Sequence, residues 1–580
     1  MKFYSLVLAI FLSLLTFHFS FTPALAIVDP FDSTNNHFGI HLISATPDEA
    51  SPAAQLVNSS GGDWGYVTVL IKSSDRSEDK WQTIFNDFRR RHLIPIVRLT
   101  SQPEGAFWKR PYEGEEVAWA DFLDKLVWPV KNRYVTIYNE PNQGQEWGGS
   151  VDAGDYATTL DKTITALKNK NTDFFVLNAG LDASAPEKAP LFQDEASFLK
   201  QMNSAVPGIF EKLDGWVSHS YPNPGFIGSP TATGRGTVTT WEWELNQLKS
   251  LGANKNLPVF ITETGWKHAE GKIDNYNYPS AEKVAGFYKY SFDNTWNNPK
   301  IVAITPFLLT YQDEPFDHFS FKKYTGEPQD DKILGISYPD YYPQFETLFK
   351  LNKKAGLPVQ DQKAELSKGG IFSSLVTSED YFIPLTFKNT GQSIWSERDQ
   401  ISLQATINPV AQGIEPVVLP KEIKIEPGGE YTFVLHLKGP PLGKYTVSMN
   451  LFAGNKQFDQ PPILSELEAK DPVTLKIKSA LKWKKNPAGE YILRIVTSVG
   501  TNIQKVVLGQ NGESKEEQVR YLLPDYSFDF ILERPYYKSK VIKKTVVTGE
   551  NILDFGILEP DYAAAMLHPD ELWRILPWGQ

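Results

Sequence analysis

Two glutamates far apart in the sequence each follow a short apolar run that is typical of a buried strand. Glu140 follows YVTIYN (134–139) and precedes a Pro-Asn-Gln-Gly turn, and Glu263 ends LPVFITE (257–263). An ionised carboxylate at the end of so apolar a strand costs free energy unless another group pairs with it or a reaction uses it. Either glutamate alone could be structural, by pairing with an arginine or by capping the next helix. Together they predict two carboxylates in one site.

Eight strand-like runs, rich in β-branched and aromatic residues, would position these glutamates. The runs are 38–42, 64–71, 93–99, 134–139, 174–180, 215–221, 257–263 and 301–309. Amphipathic stretches lie between most of them, for example 79–91, 155–170 and 280–296, with apolar residues recurring at three and four. The alternation predicts an α/β fold, a (β/α)8 TIM barrel. A doubly wound sheet is the alternative, but it needs a phosphate-binding glycine turn after its first strand, which FGIHLISATPDEA lacks.

In such a barrel, catalytic side chains lie at the carboxyl ends of the strands. Glu140 follows the fourth predicted strand and Glu263 ends the seventh, so the two face each other across the mouth. Two carboxylates placed in this way suit glycoside cleavage, in which one protonates the departing oxygen and the other acts at the anomeric carbon. A separation of about 5–5.5 Å is expected if the reaction retains configuration.

The Asn-Glu-Pro motif at 139–141, combined with the glutamate of strand seven, resembles the clan A glycoside hydrolases over roughly residues 35–350. The resemblance implies a retaining (β/α)8 enzyme that cleaves β-glycosidic bonds by double displacement. It implies Glu140 as acid/base, Glu263 as nucleophile, and Asn139 as a ligand of the sugar 2-hydroxyl. The family stays open, because NEPNQGQEWGG is similar to family 39 loops whereas ETGW is similar to β-glucanase families, including family 5.

Further candidates for substrate binding lie near the ends of the other strands. Tyr221 is expected to hydrogen-bond Glu263 and keep it ionised, and Arg98 on strand three to assist it electrostatically. His219 is as readily a core histidine as a ligand contact. The remaining candidates are Trp147 and Trp266 as platforms for sugar rings, with a core position as the alternative, and Asn178 and Tyr311 at the ends of strands five and eight. Tyr311 stands where the clan often has a tryptophan.

The C-terminal part changes to a hydrophobic period of two. A polar stretch at 356–370 predicts a linker after a barrel over 27–355. Alternating runs between Gly- and Pro-rich turns then predict a β-sandwich over 371–470, and FKNTGQSIW within it resembles immunoglobulin-like modules of bacterial surface proteins. A second all-β module is expected over 471–580, ending in a short helix.

The composition and the N-terminal segment narrow the classes of function that the protein can have. The 580 residues carry a net charge of −11 with no basic stripe, which argues against nucleic-acid binding. Residues 1–26 read as a secretory signal ending in Ala-Leu-Ala, with an uncleaved anchor as the alternative, and no later segment is expected to cross a membrane. Cysteine is absent, and no HExxH, EF-hand or P-loop motif occurs, so no metal or cofactor is expected.

The sequence therefore predicts a secreted or cell-surface bacterial glycoside hydrolase whose partner is an oligo- or polysaccharide. The C-terminal modules would act as spacers or bind surface glycans. A catalytically silent glycan-binding or adhesion protein that keeps the barrel as a scaffold is the alternative, because a fold alone does not secure a function.

Overall fold

The computed structural model describes residues 27–324, 340–409, 412–497 and 500–576. The chain divides into two compact units, Met1–Asp361 and Gln362–Gln580, the first mixed α/β and the second almost entirely β. The predicted signal over 1–26 lies outside the described residues. Across the described ranges, we find no helix with the length and apolar character needed to span a bilayer.

Eight short strands form the framework of the N-terminal unit, and each overlaps one of the predicted runs. They are β1 Gly39–Leu42, β2 Gly65–Lys72, β3 Leu93–Thr100, β4 Arg133–Ile137, β5 Phe174–Leu177, β6 Trp216–His219, β7 Val259–Glu263 and β8 Ile301–Ile304. The helices are α1 Pro47–Val57, α2 Glu78–Arg90, α3 Glu115–Lys125, α4 Ala153–Lys170, α5 Glu195–Ala205, α6 Thr240–Ser250, α7 Ala281–Tyr290 and α8 Pro343–Lys350.

The eight strands pair in parallel within two sheets. One sheet has the order β1-β2-β3-β4-β5 and the other β8-β7-β6. Single parallel bridges, Phe38 to Ile304 and Leu177 to Gly215, link the outer strands of the two sheets. The carboxyl ends of all eight strands therefore lie on one side of the unit.

Alternate residues of the strands supply two apolar clusters, as the period of a strand requires. Inner positions such as Tyr66, Ile96, Tyr134 and Phe260 pack together in one cluster. The opposite positions join the buried faces of the surrounding helices in a larger one. The strands are thereby covered on both faces, which is how parallel sheets occur.

The C-terminal unit contains two successive β-modules. The first has the strands Ala364–Lys368, Ser374–Val376, Asp380–Asn389, Ile401–Asn408, Gln412–Gly413, Val417–Val418, Glu430–Lys438, Gly443–Ala453, Lys456–Gln457 and Ile463–Lys470, arranged in two sheets over one apolar core. The second has Val473–Leu481, Gly489–Thr497, Gly500–Leu508, Glu517–Val519, Ser527–Arg534, Tyr537–Thr545 and Gly549–Leu558, again as two sheets with their own core, followed by the short helix Tyr562–Met566.

The polar stretch 356–370 is not a linker throughout. Ala364–Lys368 pairs in antiparallel fashion with Asp380–Asn389, so strand structure begins inside the predicted linker. On the other side of the unit boundary, the Val359 carbonyl accepts a hydrogen bond from the Lys131 backbone at 2.8 Å, which keeps that segment on the N-terminal unit. Neither pairing can be inferred from the polar composition of the segment.

Candidate active site

The carboxyl ends of the parallel strands surround a cleft of about 800 Å³. Glu140, after β4, and Glu263, at the end of β7, both line it. This volume lies within the range of about 300–1,000 Å³ that is usual for ligand sites. The cleft also contains Asn139, Arg98, His219, Tyr221 and Tyr311, so seven of the ten residues predicted for the site lie together.

Glu263 is held in its ionised form by cationic and hydrogen-bonding neighbours. Arg98 on β3 donates a hydrogen bond to Oε1, and the Tyr221 hydroxyl donates one to Oε2 at 3.0 Å, the contact that the sequence predicts. Burial by itself would raise the pKa of Glu263, but His219, Arg98 and His41 outweigh it and lower the pKa to about 2. Glu263 is therefore a carboxylate at any physiological pH.

Glu140 has a different environment, without an arginine. His219 Nδ1 lies 2.8 Å from its Oε1, and Gln143 Nε2 donates a hydrogen bond to its Oε2 at 2.7 Å. Burial raises the pKa of Glu140 above its ordinary value, and the negative charge of Glu263 raises it further, against the lowering effect of His219. Glu140 is thus the carboxyl group of the pair that holds a proton more readily.

The two carboxyl groups lie close to one another. One oxygen of Glu140, one oxygen of Glu263 and a ring nitrogen of His219 all lie within 4.8 Å of one another. This bound on the closest approach of the two carboxyl groups is shorter than the 6.5–9.5 Å that an inverting pair needs to hold a water molecule. The separation of about 5–5.5 Å stays a prediction.

Local backbone geometry aims Glu140 at the cleft. Its φ is 32°, in the left-handed region that non-glycine residues rarely adopt, and its backbone N–H donates to the Gly180 carbonyl at 3.0 Å. Gly180 also makes room for His219, because a Cβ at that position would lie 2.1 Å from the imidazole. A strained residue fixed in this way is common at functional sites.

A third carboxylate, Glu146, lies in the short 3₁₀ turn Gly144–Glu146 and lines the same cleft. Burial raises the pKa of Glu146 to about 7, and the charge of Glu140 adds to this shift. Asn139 lies between the charged groups, since its Oδ1 accepts from Arg98 at 2.8 Å while its side chain hydrogen-bonds Glu146. The predicted ligand of the sugar 2-hydroxyl is therefore held rigidly beside both glutamates.

Aromatic rings form much of the cleft wall. Trp108, Phe226, Phe307, Phe316 and Tyr311 line it, and several contact one another edge to face. Phe307, three residues after β8, packs on His41 with a centroid distance of 5.1 Å. Flat apolar faces beside convergent carboxylates provide the combination that binds a sugar ring.

Three of the predicted site residues lie elsewhere, and those predictions are wrong. Trp147 and Trp266 are fully buried, and their indole N–H groups donate to Asp155 at 3.0 Å and to the Gly228 carbonyl at 2.8 Å. The side-chain amide of Asn178 is hydrogen-bonded to the backbone of a neighbouring strand, where its oxygen accepts from Val217 N–H at 2.8 Å. For the two tryptophans the alternative of a core position therefore holds, because a side chain a few positions after a glutamate of the cleft can turn into the core.

Several residues of the site carry no obvious sequence signal. His41 alternates inward on β1, with Nε2 3.7 Å from Glu263 Oε1, and burial followed by the charge of Arg98 lowers its pKa to about 3, so it is neutral. Gln143 and Glu146 lie in the turn that follows Glu140, and Gly180 ends the run FFVLNAG. For His41, the one signal in the sequence is its inward-facing position in the predicted strand 38–42.

Glu140, His219 and Glu263 together form the one cluster of the described ranges with the spacing of a metal site. The hydrogen bonds and the cationic group around it oppose a metal ion. Gln143 and Tyr221 already donate to the carboxylate oxygens, and the guanidinium of Arg98 occupies the side of Glu263 where a cation would lie. The arrangement therefore suits proton transfer and nucleophilic attack better than cation binding.

No family model and no curated protein matches the chain. The similar solved structures include glycoside hydrolases. A family 39 glycoside hydrolase from Bacteroides cellulosilyticus WH2 shares 14% identity over 71% of this chain and 80% of that one, with a TM-score of 0.37. A bacterial orthologue of human α-L-iduronidase shares 11% identity over 88% and 98%, with a TM-score of 0.37.

A GH128 (subgroup II) endo-β-1,3-glucanase from Sorangium cellulosum shares 14% identity over 56% of this chain and 99% of that one, with a TM-score of 0.33. Likenesses at these TM-scores are too distant to carry an argument about activity. Evidence about the activity therefore comes from the geometry of the cleft.

Proposed function

We propose that this protein is a retaining glycoside hydrolase in which Glu263 is the nucleophile and Glu140 is the acid/base. The observation that carries the proposal is the opposite effect of the surroundings on two adjacent carboxyl groups. The pKa of Glu263 is lowered to about 2, whereas burial raises the pKa of Glu140. Pairs of titratable groups whose environments move their pKa values apart are a feature of acid/base catalysis.

In the first step, the ionised Glu263 attacks the anomeric carbon while the Glu140 carboxyl group gives its proton to the departing glycosidic oxygen. Arg98 and Tyr221 hold the nucleophile by its two oxygens and so fix its direction of attack. The products of this step are a glycosyl ester on Glu263 and a free alcohol.

In the second step, Glu140 is a carboxylate and takes a proton from a water molecule as that water attacks the ester. Gln143 and His219 remain as its partners and keep it aimed at the same place. The sugar leaves with its original anomeric configuration, and both glutamates return to their starting protonation states.

The same proposal includes a closed (β/α)8 barrel over residues 27–355. Two bridges between the outer strands and the alternating strand–helix order support closure. Cleavage of β-linkages rests on the resemblance to clan A glycoside hydrolases. Export to the outside of the cell rests on the signal-like N-terminus.

For the C-terminal unit we propose two immunoglobulin-like sandwiches, over 371–470 and 471–580, that act as spacers or bind surface glycans. Two sheets that enclose one apolar core in each module support this proposal.

The test is hydrolysis of a panel of aryl β-glycosides and β-glycans by the full chain and by Glu263→Gln, Glu140→Gln and Glu146→Gln. We expect Glu263→Gln to lose more than about 10⁴-fold in kcat, since the nucleophile is gone. Glu140→Gln should lose roughly 10²- to 10⁴-fold on substrates with poor leaving groups.

Glu146→Gln is the matched control, because it removes a third carboxylate from the same cleft and should cost far less than either. Equal losses in all three variants would contradict the assignment of roles. Glycan binding without cleavage of any substrate would favour the catalytically silent alternative.

A further inference from the structure

Lys267 is a cationic side chain of the cleft wall that the proposed reaction does not use. It follows β7, in the sequence ETGWK that begins with Glu263, and it lines the cleft. Its Nζ faces the rings of Phe226, Tyr278 and Phe319, at 5.2, 5.5 and 5.6 Å from their centroids. Within the ranges that the structure describes, this ammonium group has neither a hydrogen bond nor an ion pair.

The rings beneath Lys267 connect it to the nucleophile. Phe226 and Phe319 contact Tyr221 edge to face, with centroid distances of 5.0 and 6.0 Å, and Tyr221 donates its hydrogen bond to Glu263. The Lys267 backbone N–H donates to the Phe226 carbonyl at 3.0 Å, which fixes the loop against this wall. A single layer of aromatic rings therefore separates the ammonium group from Tyr221, the residue that donates to Glu263.

Among the described residues that line the cleft, the other lysines and the arginine are paired or solvated. Lys80 pairs with Asp75, Arg98 binds Glu263 and Asn139, and Lys72 is exposed with its Nζ 6.0 Å from the Trp108 ring centroid. Lys267 is partly buried against aromatic faces, which attract a cation but offer its three N–H donors no oxygen or nitrogen acceptor. A charge-assisted hydrogen bond to an anion would satisfy them.

We propose that Lys267 binds an anionic substituent, a carboxylate or a sulfate, on the sugar unit beside Glu263, so that the substrate is an acidic glycan. The inference rests on the proposed function, because it assumes a sugar in this cleft. A lysine is a compact point charge and accepts either anion without the fixed fork geometry of arginine. The two anions are therefore separated by experiment.

The test compares matched substrates that differ only in charge: aryl β-glucuronide with β-glucoside, aryl β-galacturonide with β-galactoside, and a 6-sulfated aryl β-galactoside with its unsulfated form. In at least one pair, the full chain should have the higher kcat/KM for the anionic member. Lys267→Met, which keeps the aliphatic stem, should lower the anionic-to-neutral ratio of kcat/KM roughly 10- to 100-fold, mainly through KM. The responding pair tells carboxylate from sulfate.

Lys80→Met is the matched control, since it removes a paired lysine from the same cleft, and its ratio should stay within about twofold of the wild-type ratio. An unchanged ratio in Lys267→Met, or a preference for the neutral member of every pair, would overturn the inference while leaving the hydrolase proposal intact.

Calorimetric binding of glucuronate against glucose, galacturonate against galactose, and galactose 6-sulfate against galactose provides a readout that does not need catalysis. If the full chain cleaves no glycoside, the proposed function fails, and binding alone decides the inference. An anion preference that Lys267→Met abolishes would support it, and equal binding of all three pairs would overturn it.

Discussion

The N-terminal unit contains two pairs of buried carboxyl groups with opposite electrostatics. Glu140 and Glu263 face the cleft, where Arg98, His219 and Tyr221 are their neighbours. Glu195, the first residue of α5, and Glu244, in α6, are fully buried behind β6. Burial acts on all four carboxyl groups, so the difference lies in their partners.

In the sealed pair, some neighbours oppose burial without outweighing it. Neither oxygen of Glu195 has a donor among the described residues, so its contact with Glu244 needs a proton between the two carboxyl groups. Trp216 Nε1 donates to Glu244 Oε2 at 3.0 Å. Burial raises the pKa of Glu195 well above its ordinary value and also raises that of Glu244.

In the cleft pair, the cationic neighbours belong to one glutamate more than to the other. His219 lies beside both carboxyl groups, Arg98 binds Glu263, and the result is one ionised and one more readily protonated carboxyl group. Burial alone therefore favours a proton on both carboxyl groups, whereas burial beside His219 and Arg98 leaves one carboxyl group that is readily protonated and one that is ionised.

The largest effect that breaks this contrast is expected from Arg98→Met. Without the guanidinium, mainly His219 would oppose burial at Glu263, and its pKa should rise. Because the nucleophile must be ionised, the acidic limb of the pH profile of kcat/KM should move to higher pH, and kcat/KM should fall roughly 10²- to 10³-fold at its optimum.

Arg98→Lys is the control, because it keeps the charge but not the fork geometry and should shift the limb less. Profiles with the same acidic limb in wild type and in Arg98→Met would show that Arg98 does not ionise Glu263.

A second, smaller effect is expected from Gly180→Ala, which should displace His219 from both cleft carboxylates. A Cβ there would lie 2.1 Å from the imidazole, so the ring has to move. A displacement of about 1 Å can cost about 10²-fold in rate, and we expect a loss of roughly 10- to 100-fold in kcat.

Gly286→Ala, where an added Cβ meets nothing within 4 Å, is the matched control and should keep the wild-type kcat. An unchanged kcat in Gly180→Ala would show that the position of His219 does not matter to the reaction.

The smallest effect is expected in stability, from Glu195→Gln in the sealed pair. Both pKa values are raised in the folded protein, so folding retains a proton that the unfolded chain releases above pH 4.5, the ordinary value. Stability must then fall as pH rises from there toward the folded-state pKa values. The side-chain amide of a glutamine would donate to Glu244 without needing this proton. Glu195→Gln should therefore stabilise the protein by about 1–3 kcal/mol at pH 8 relative to wild type.

Urea unfolding at pH 5 and pH 8 measures the effect, with Glu242→Gln, an exposed site on α6, the helix that carries Glu244, as control. If Glu195→Gln and wild type lose the same free energy of unfolding between the two pH values, the pair does not hold a shared proton.

The strands and the two glutamates are predictable from sequence because each depends on a local pattern. The run LPVFITE contains both its strand and the carboxylate that ends it. Trp147 and Trp266 were not predictable in the same way, since proximity in sequence does not determine the direction of a side chain after a turn. Gly180 acts on His219, which comes from the next strand, so its importance appears only when the two strands meet.

The side chains that give the two glutamates different pKa values also come from elements that are distant in the sequence. Arg98 reaches Glu263 across 165 positions of the chain, and the contact could be predicted only by placing both residues on strands of one barrel. The boundary between the two units falls inside the predicted linker over 356–370, but the strand Ala364–Lys368 was missed, because it is recognised only by its pairing with Asp380–Asn389.

The most direct test of the central claim is the response of Glu140→Ala and Glu263→Ala to azide, with an activated aryl β-glycoside as substrate. Glu140→Ala should still form the glycosyl ester on Glu263, and azide, which needs no general base, should release it as a β-glycosyl azide with a faster turnover. Glu263→Ala should form no ester and give at most an α-glycosyl azide. A β-azide from Glu263→Ala, or no azide response from Glu140→Ala together with equal losses on good and poor leaving groups, would contradict the assigned roles.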